Sequence, residues 1–362
     1  IGIMGQTKTC SRKIAIAGAG VIGLSCAFEL AERGHRVTLF DPSGPEASTS
    51  WAAAGMIAPA YELMLQEGAP DEALSSLCFE SAALWQDFAA RLRAFAGLPV
   101  GYSRQATIAV ARTSGELERL RALHERLRAN GHPARPVSSA ALTSVFGMGN
   151  DLAGGLLLPE DHQVDNRRLL TVLRRALADR KATFVRTAVD SREDVAAHGQ
   201  FDAVVWARGA REAGIVATVK GQALSLSPVE HGPRQTVRFG SGYAVPQPDR
   251  IVIGATSESE FRSGAVETQA TDALLEAAIA VLPALRGAPV LERWAGLRPK
   301  GQDERPVIGR RDRDEFVAAA HYRNGVLLAP VTARLIAGLV EGTSLDNVHE
   351  AFGPDRSAPA TA

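Results

Sequence analysis

The 362-residue sequence has no surplus of charge of either sign: lysine plus arginine and aspartate plus glutamate number 40 each. A balanced chain carries no electrostatic footprint for nucleic acid or an anionic membrane surface, so neither partner is expected. Cysteine is scarce. Cys10, Cys26 and Cys78 are odd in number and scattered, which reads as reduced, structural thiols in a cytoplasmic protein. The 8 histidines form no H-x-x-x-H or H-x-H pair, and no C-x-x-C accompanies them, so no metal site is expected. No run reaches the roughly 18 apolar residues of a transmembrane helix. Ile1 to Ser11 lacks the apolar core of a signal peptide and reads as a short extension or a trimmed start. There is no internal repeat. G-x-S-x-G is missing as well, which leaves a serine hydrolase unsupported.

What is present is organised around Lys13 to Asp41. Lys13 to Ala17 is a short apolar run, as a buried parallel strand requires. Gly18, Gly20 and Gly23 follow in the G-x-G-x-x-G spacing. The first allows a tight turn, the second admits a pyrophosphate to the backbone, and the third lets helix and strand pack closely. Val21 to Glu32 reads as a helix whose N-terminus faces the phosphates with free N–H groups. Arg36 to Phe40 is a second strand, ended by Asp41, which stands where an acid accepts from a ribose hydroxyl. Strand, turn, helix, strand and acid in register point to a dinucleotide site.

The rest of the chain alternates helix and strand, then changes character. Asp71 to Phe95 is a long amphipathic helix, and Ser114 to Asn130 a charged one with a solvated face. Asp165 is a credible N-cap for a helix running to about Arg180. Thr183 to Val189 and Phe201 to Ala207 read as strands. From Lys220 to Ala255 short strands with turn residues between them look antiparallel. Pro330 to Val340 is a final helix. The layout suggests a nucleotide lobe in pieces at 12–100, 151–217 and 294–350. A substrate lobe at 101–150 and 218–293 is inserted into it, and a mobile tail at 351–362 follows.

Six segments in order make the reading specific: Gly18 to Gly23, Ser48 to Met56, Tyr243 to Pro246, Ile253 to Thr256, Trp294 to Pro299 and His321 to Pro330. Together the chain resembles the D-amino-acid oxidase and glycine oxidase family of FAD-dependent amine oxidoreductases, including its branch in thiamine biosynthesis. The resemblance implies an α/β fold: a Rossmann-type FAD-binding domain with an inserted mixed, antiparallel-sheet substrate domain. It implies non-covalent FAD, with Val21 and Ile22 over the pyrophosphate and Asp41 with Pro42 at the ribose. Val189 would offer backbone to the adenine. Thr49, Ser50, Ala54, Gly55 and Met56 would line the flavin. His321, Tyr322, Arg323, Asn324, Gly325, Val326 and Leu327 would pass under its ring, and the final helix would aim its positive end at the ring. The chain departs from the family at Ala207 to Ala210, at Gln247 and at Lys300, which puts its substrate range in doubt.

The chemistry implied is oxidation of glycine, sarcosine or small D-amino acids to the imino acid, with O2 reduced to hydrogen peroxide. Arg298, between Leu297 and Pro299 at the end of an apolar stretch, is the residue suited to clamp the substrate carboxylate, because its fork matches a carboxylate bidentately. An internal salt bridge to Asp303 or Glu304 is the competing reading. Tyr243 offers a hydroxyl to the same carboxylate or is a core tyrosine, and Arg323 either adds positive charge near the flavin and substrate or is paired structurally. No side chain stands out as a catalytic base, so the chemistry falls to the flavin. Thiazole synthase as a partner and a homo-oligomer are both open. Two alternatives remain: a dehydrogenase subunit passing electrons to a quinone, and a non-catalytic flavoprotein.

Overall fold

The computed structural model describes residues 11–66, 70–344 and 346–356. Cys10 and most of the N-terminal extension lie outside the described residues. The described residues build two large sheets and a small one. In the six-stranded sheet the order is Val307–Asp312, Glu315–Ala319, Ala203–Trp206, Lys13–Ala17, Arg36–Phe40, Thr183–Val185. All neighbours are parallel except the first two, which form an antiparallel hairpin. Lys13–Ala17 has Arg36–Phe40 on one side and Ala203–Trp206 on the other, so the order reverses at its end. Open parallel sheets place their ligand crevices at such a switch point.

The helix Val21–Glu32 is apolar around most of its circumference, and ten of its residues are buried. Its neighbours explain this. It is covered by the helices Asn166–Asp179 and Ala329–Val340, and Phe28 packs edge-on against Phe88 of the long helix Glu72–Ala96. Glu29, inside this packing, is matched by Arg33 at 2.8 Å and Arg91 at 3.0 Å.

The eight-stranded sheet runs Val290–Lys300, Ala217–Leu226, Ile251–Gly254, Gly242–Pro246, Val237–Phe239, Thr107–Ala111, Gly154–Leu158, Arg135–Val137. It is antiparallel except where Val237–Phe239 meets Thr107–Ala111. Strand pairing is at odds with two of the expected boundaries. Gly154–Leu158 and residues 294–300 belong to this sheet, so cuts at 151 and 294 pass through it. Alternation shows that a stretch is a strand; it does not show which sheet completes its hydrogen bonds.

Other differences have local causes. The strand from Thr183 ends at Val185, because Thr187 turns back to donate to the Val185 carbonyl at 3.0 Å. Val307–Asp312 escapes an apolar pattern because it is an edge strand carrying exposed Arg310, Arg311 and Asp312. The tail is not free where it is described. Phe352 is fully buried, its carbonyl accepts from Ile308 at 2.7 Å, and Arg356 pairs with Asp303 at 2.8 Å. Residues 357–362 lie outside the described residues. Among the described residues no helix is long and apolar enough to cross a membrane.

Candidate active site

One pocket opens between the two large sheets, at the C-terminal end of Lys13–Ala17. Its floor is the glycine turn. Gly18 has φ of +102°, and a Cβ there would overlap the Ala207 carbonyl. The ladder of the following helix begins with Leu24 donating to Gly20 at 2.9 Å. The earlier N–H groups of the first turn therefore stand outside the ladder. That of Val21 is taken by Ser50 Oγ at 2.9 Å. A helix start whose N-cap residue is glycine, with no side chain of its own over the backbone, is the cradle a pyrophosphate needs. These residues fit FAD.

The segment Ser48 to Met56 forms the next wall. Ser48 caps a short helix, Thr49–Ala52, accepting from Trp51 at 3.2 Å. This turn ties the sheets together. Thr49 Oγ1 donates to the Leu297 carbonyl at 2.7 Å, and Trp294 Nε1 donates to the Ala52 carbonyl at 2.9 Å. Arg167 lies between the rings of Trp51 and Trp294, at 4.8 and 4.9 Å. Gln247, one of the departures, donates to the carbonyls of Ala54 and Val164 at 3.3 and 3.2 Å. Gly55, Ala54 and Met56 reach the pocket through this framework.

The third wall is His321 to Val326. His321 is buried, and its Nε2 lies 2.9 Å from Thr332 Oγ1 in the first turn of the helix Ala329–Val340. Burial pushes its pKa down to about 3, so it is neutral at physiological pH. The consequence for stability has a definite sign. Between about pH 6.5 and 3 the unfolded chain binds a proton at this histidine and the folded chain does not, so acid destabilises the fold there. His321→Gln removes that dependence. The drop in melting temperature between pH 7 and pH 4 is expected to be smaller in the variant than in the unaltered protein, and an equal drop would contradict the assignment. Asp161 runs the other way and does not mimic the effect. Burial raises its pKa to about 7 although Ala60 and Tyr61 donate to it, so its own contribution weakens as pH rises from about 4 to 7.

Arg298 closes the site from the eight-stranded sheet. Its strand pairs with Ala217–Leu226 in a long register that places Gly296 opposite Gly221. The guanidinium lies against Gly221, where a Cβ would overlap it. Its hydrogen bond is from Nη1 to the Thr256 carbonyl at 3.0 Å. The salt-bridge reading fails for both named acids: Asp303 pairs with Arg356, and Glu304 pairs with Lys300. Tyr243, also on this wall, is buried, and burial raises its pKa although Arg298 and Arg238 oppose the shift.

Not every expected residue reaches the pocket. Gly20, Val21, Ile22, Thr49 and Ser50 do, with Tyr243, Arg298 and the His321 to Val326 segment. Gly18 and Gly23 act below it as packing positions. Leu327 is buried in the core, its carbonyl accepting from Trp85 Nε1 at 2.9 Å. Val189 is buried against Phe40 and Trp206. Asp41 is engaged by the turn itself, accepting from Ala19 at 2.8 Å and from Ser43 at 3.0 Å, and Pro42 follows it outside the pocket. Arg323 lines the pocket but is no free cation: its Nη2 pairs with Glu62 at 3.1 Å and with Glu304 at 3.8 Å. Gly221 and Arg238 were missed, and Thr256 was singled out only as the end of its segment, with no role. Gly221 carried a signal in principle, a glycine inside a strand, which marks close approach of another group. No cluster suited to a metal occurs among the described residues.

Residues 13–339 match the family described as FAD dependent oxidoreductase. The chain is 33% identical over 354 residues to the glycine oxidase of Geobacillus kaustophilus, covering 91% of this chain and 92% of that protein. It is 33% identical over 353 residues to the bifunctional protein ThiO/ThiG of Trichormus variabilis, covering 91% of this chain and 53% of that protein. The chain thus spans about half the length of the bifunctional relatives it matches. The crystal structure of glycine oxidase from Geobacillus kaustophilus superposes with a TM-score of 0.85 at 31% identity, covering 96% of this chain and 100% of that one. A glycine turn at the switch point, a helix start with glycine as its N-cap and a match over nearly the whole described chain converge: the chain belongs to the FAD dependent oxidoreductase family.

Proposed function

We propose that the chain oxidises glycine and other small amines such as sarcosine to the corresponding imine. The observation that carries this is Arg298. It is a guanidinium on the pocket wall, backed by Gly221 and bonded to a backbone carbonyl, with the two nearby loop acids committed elsewhere. An α-carboxylate completes it bidentately. Tyr243 stands close enough to feel that charge and adds a hydroxyl. Arg298 thereby fixes the carboxylate end and orients the Cα–H and the amine, a gain of alignment rather than of proton transfer. The framework of Thr49, Trp294 and Arg167 holds the two sheets, and so the two sides of the site, in one geometry. Bound FAD supplies the two-electron acceptor, and O2 takes the electrons on to hydrogen peroxide.

The relatives of like length are named glycine oxidase, which supports the substrate. The ThiO/ThiG relatives carry a second part on the same polypeptide, which supports a thiazole-forming enzyme as consumer of the imine. The buried free thiols of Cys26 and Cys78 support a reducing, cytoplasmic compartment.

The test is peroxide release by the purified yellow protein with glycine, sarcosine, D-alanine, D-proline and D-phenylalanine. Turnover of glycine and sarcosine is expected. Turnover confined to bulky aromatic D-amino acids would overturn the substrate reading. Reduction by glycine with reoxidation by a quinone but not by O2 would replace the oxidase by a dehydrogenase. The flavin should leave completely on acid or heat treatment, as a non-covalent group must.

A further inference from the structure

Arg298 is anchored by a carbonyl that a regular ladder would have used itself. Ile251–Gly254 pairs with Ala217–Leu226 as far as Gly254, opposite Ala223. The next bridge joins Glu258 to Lys220, so Gly254 to Glu258 is one residue longer than the stretch it faces. Such a bulge re-aims the groups it carries. Thr256 donates its N–H to the Gln222 carbonyl at 3.2 Å, which is half of an antiparallel pair. The other half is exchanged. Gln222 N–H donates to Thr256 Oγ1 at 2.9 Å instead of to the Thr256 carbonyl. The hydroxyl stands in for the carbonyl in the ladder, and the carbonyl accepts from Arg298 Nη1 at 3.0 Å. Glu258 sets that hydroxyl. Its Oε1 accepts from Thr256 Oγ1, and from Gln222 Nε2 at 2.9 Å. The hydroxyl proton thus points at Glu258 and a lone pair at Gln222. Lys220, fully buried, lies 3.4 Å from the other Glu258 oxygen and 2.7 Å from Glu267. Burial alone would raise the pKa of Glu258, but the bonds from Thr256 and Gln222 and the charge of Lys220 hold it below the ordinary glutamate value.

We propose that Thr256 is a positioning residue for the carboxylate clamp: its hydroxyl, set by Glu258, frees its carbonyl to hold Arg298. The inference rests on the reading of Arg298 given above. A guanidinium is planar, so one donor fixed on Thr256 and a backbone surface beneath it at Gly221 fix the direction of the other donors. Lys220 and Gln222 flank Gly221 in the strand, so their side chains leave the face opposite the one that Arg298 covers. Thr256 joins the two faces, with its carbonyl toward Arg298 and its hydroxyl toward Glu258. Without the hydroxyl, Gln222 N–H has the carbonyl of position 256 as its regular partner, and Arg298 loses its anchor.

The experiment compares glycine with glycine ethyl ester, which keeps the amine and lacks the carboxylate, on the FAD-loaded protein. Thr256→Val keeps the branching of the side chain and removes the hydroxyl. A fault in the fold lowers kcat/KM for both substrates, whereas a displaced clamp lowers it for the acid. The glycine-to-ester ratio should fall by about 10-fold to 100-fold, the range for a hydrogen bond to a charged group. Thr256→Ser should restore it. Glu258→Gln turns an amide NH2 toward Lys220 or toward Thr256, and should lower the ratio by about threefold or more. Acetate, which offers a carboxylate and is not oxidised, gives the comparison without turnover. Its dissociation constant, read from the flavin spectrum, should rise in Thr256→Val and return in Thr256→Ser. In an Arg298→Ala background Thr256→Val should cost nothing further, because the anchor has nothing left to hold. An equal fall for acid and ester, a full second loss in that background, or an unaltered ratio in Thr256→Val would overturn the proposal and leave Thr256 a structural residue. Loss of glycine turnover in Arg298→Ala without loss in Thr256→Val brings down this proposal alone. Near-normal turnover in Arg298→Ala brings down the reading on which it rests.

Discussion

Arg298→Ala will lower kcat/KM for glycine by about 30-fold to several-thousand-fold while the protein keeps its FAD. Truncating one side of a buried charged pair costs roughly 2–5 kcal/mol, and about 1.4 kcal/mol is a decade in rate. The arginine bonds to the Thr256 carbonyl and rests on Gly221, and neither contact belongs to the glycine turn that would cradle the cofactor. Flavin absorbance should therefore survive the substitution. Arg298→Lys should recover only part of the activity, because an ammonium cannot reproduce a planar fork. Gly221→Ala provides an independent approach. Its Cβ would occupy the space of the guanidinium, so it should displace Arg298 and depress glycine turnover with the arginine still present. Steady-state kinetics beside the flavin spectrum of each variant decide the matter. Near-normal kcat/KM in Arg298→Ala would mean that the carboxylate is bound elsewhere. Loss of flavin in that variant would mean that the arginine is structural.

The same geometry shows what the sequence could disclose. The glycine turn and its flanking strands were legible because each residue there answers a local demand: a positive φ at Gly18, a bare backbone at Gly20, a close contact at Gly23. The helix Asn166–Asp179 was legible for the same reason, since Asp165 accepts from Arg167 and Arg168 as a cap does. Arg298 was legible through its neighbours in the chain, but that no acid among the described residues pairs with it was not. That depends on Arg356 and Lys300 occupying Asp303 and Glu304. Arg323 lines the pocket as expected, but its pairing with Glu62, far away in sequence, could not be read from its neighbours in the chain. Asp41 is similar: a position read as a ribose contact also bonds the Ala19 N–H. Arg238 gave no signal at all. An arginine in Val237–Phe239 looks like the polar face of a strand until Tyr61 and Tyr243 are seen to enclose it. Propensity and spacing report backbone demands. Charge compensation is settled by tertiary partners, and so was not visible.

Gly23→Ala carries the largest expected cost to the fold. Gly23 lies in the first turn of Val21–Glu32, and a methyl group there would overlap the carbonyl oxygen of Gly18, with Ile16 Cγ2 at 3.4 Å behind it. The obstacle is backbone, so no rotamer change can relieve it. The helix must lift from the strand, and nearly all of that helix is buried, with Leu24, Ala27 and Phe28 fully covered. Overpacking a tight core costs roughly 1–3 kcal/mol and occasionally more. A shift of the helix also moves the N–H groups of Val21 and Ile22, which line the pocket. Stability and cofactor retention should therefore fall together: a melting temperature lower by roughly 1–4 °C, and a substoichiometric flavin content after purification. Gly115→Ala is the control. Gly115 lies in the exposed helix Ser114–Ala129 with nothing near its missing Cβ, and an alanine there should be neutral or stabilise by about 0.4–1 kcal/mol. Thermal melts and flavin-to-protein ratios on the two variants test the argument. Full flavin and an unchanged melt in Gly23→Ala would show that helix and strand are not packed as closely as the turn requires.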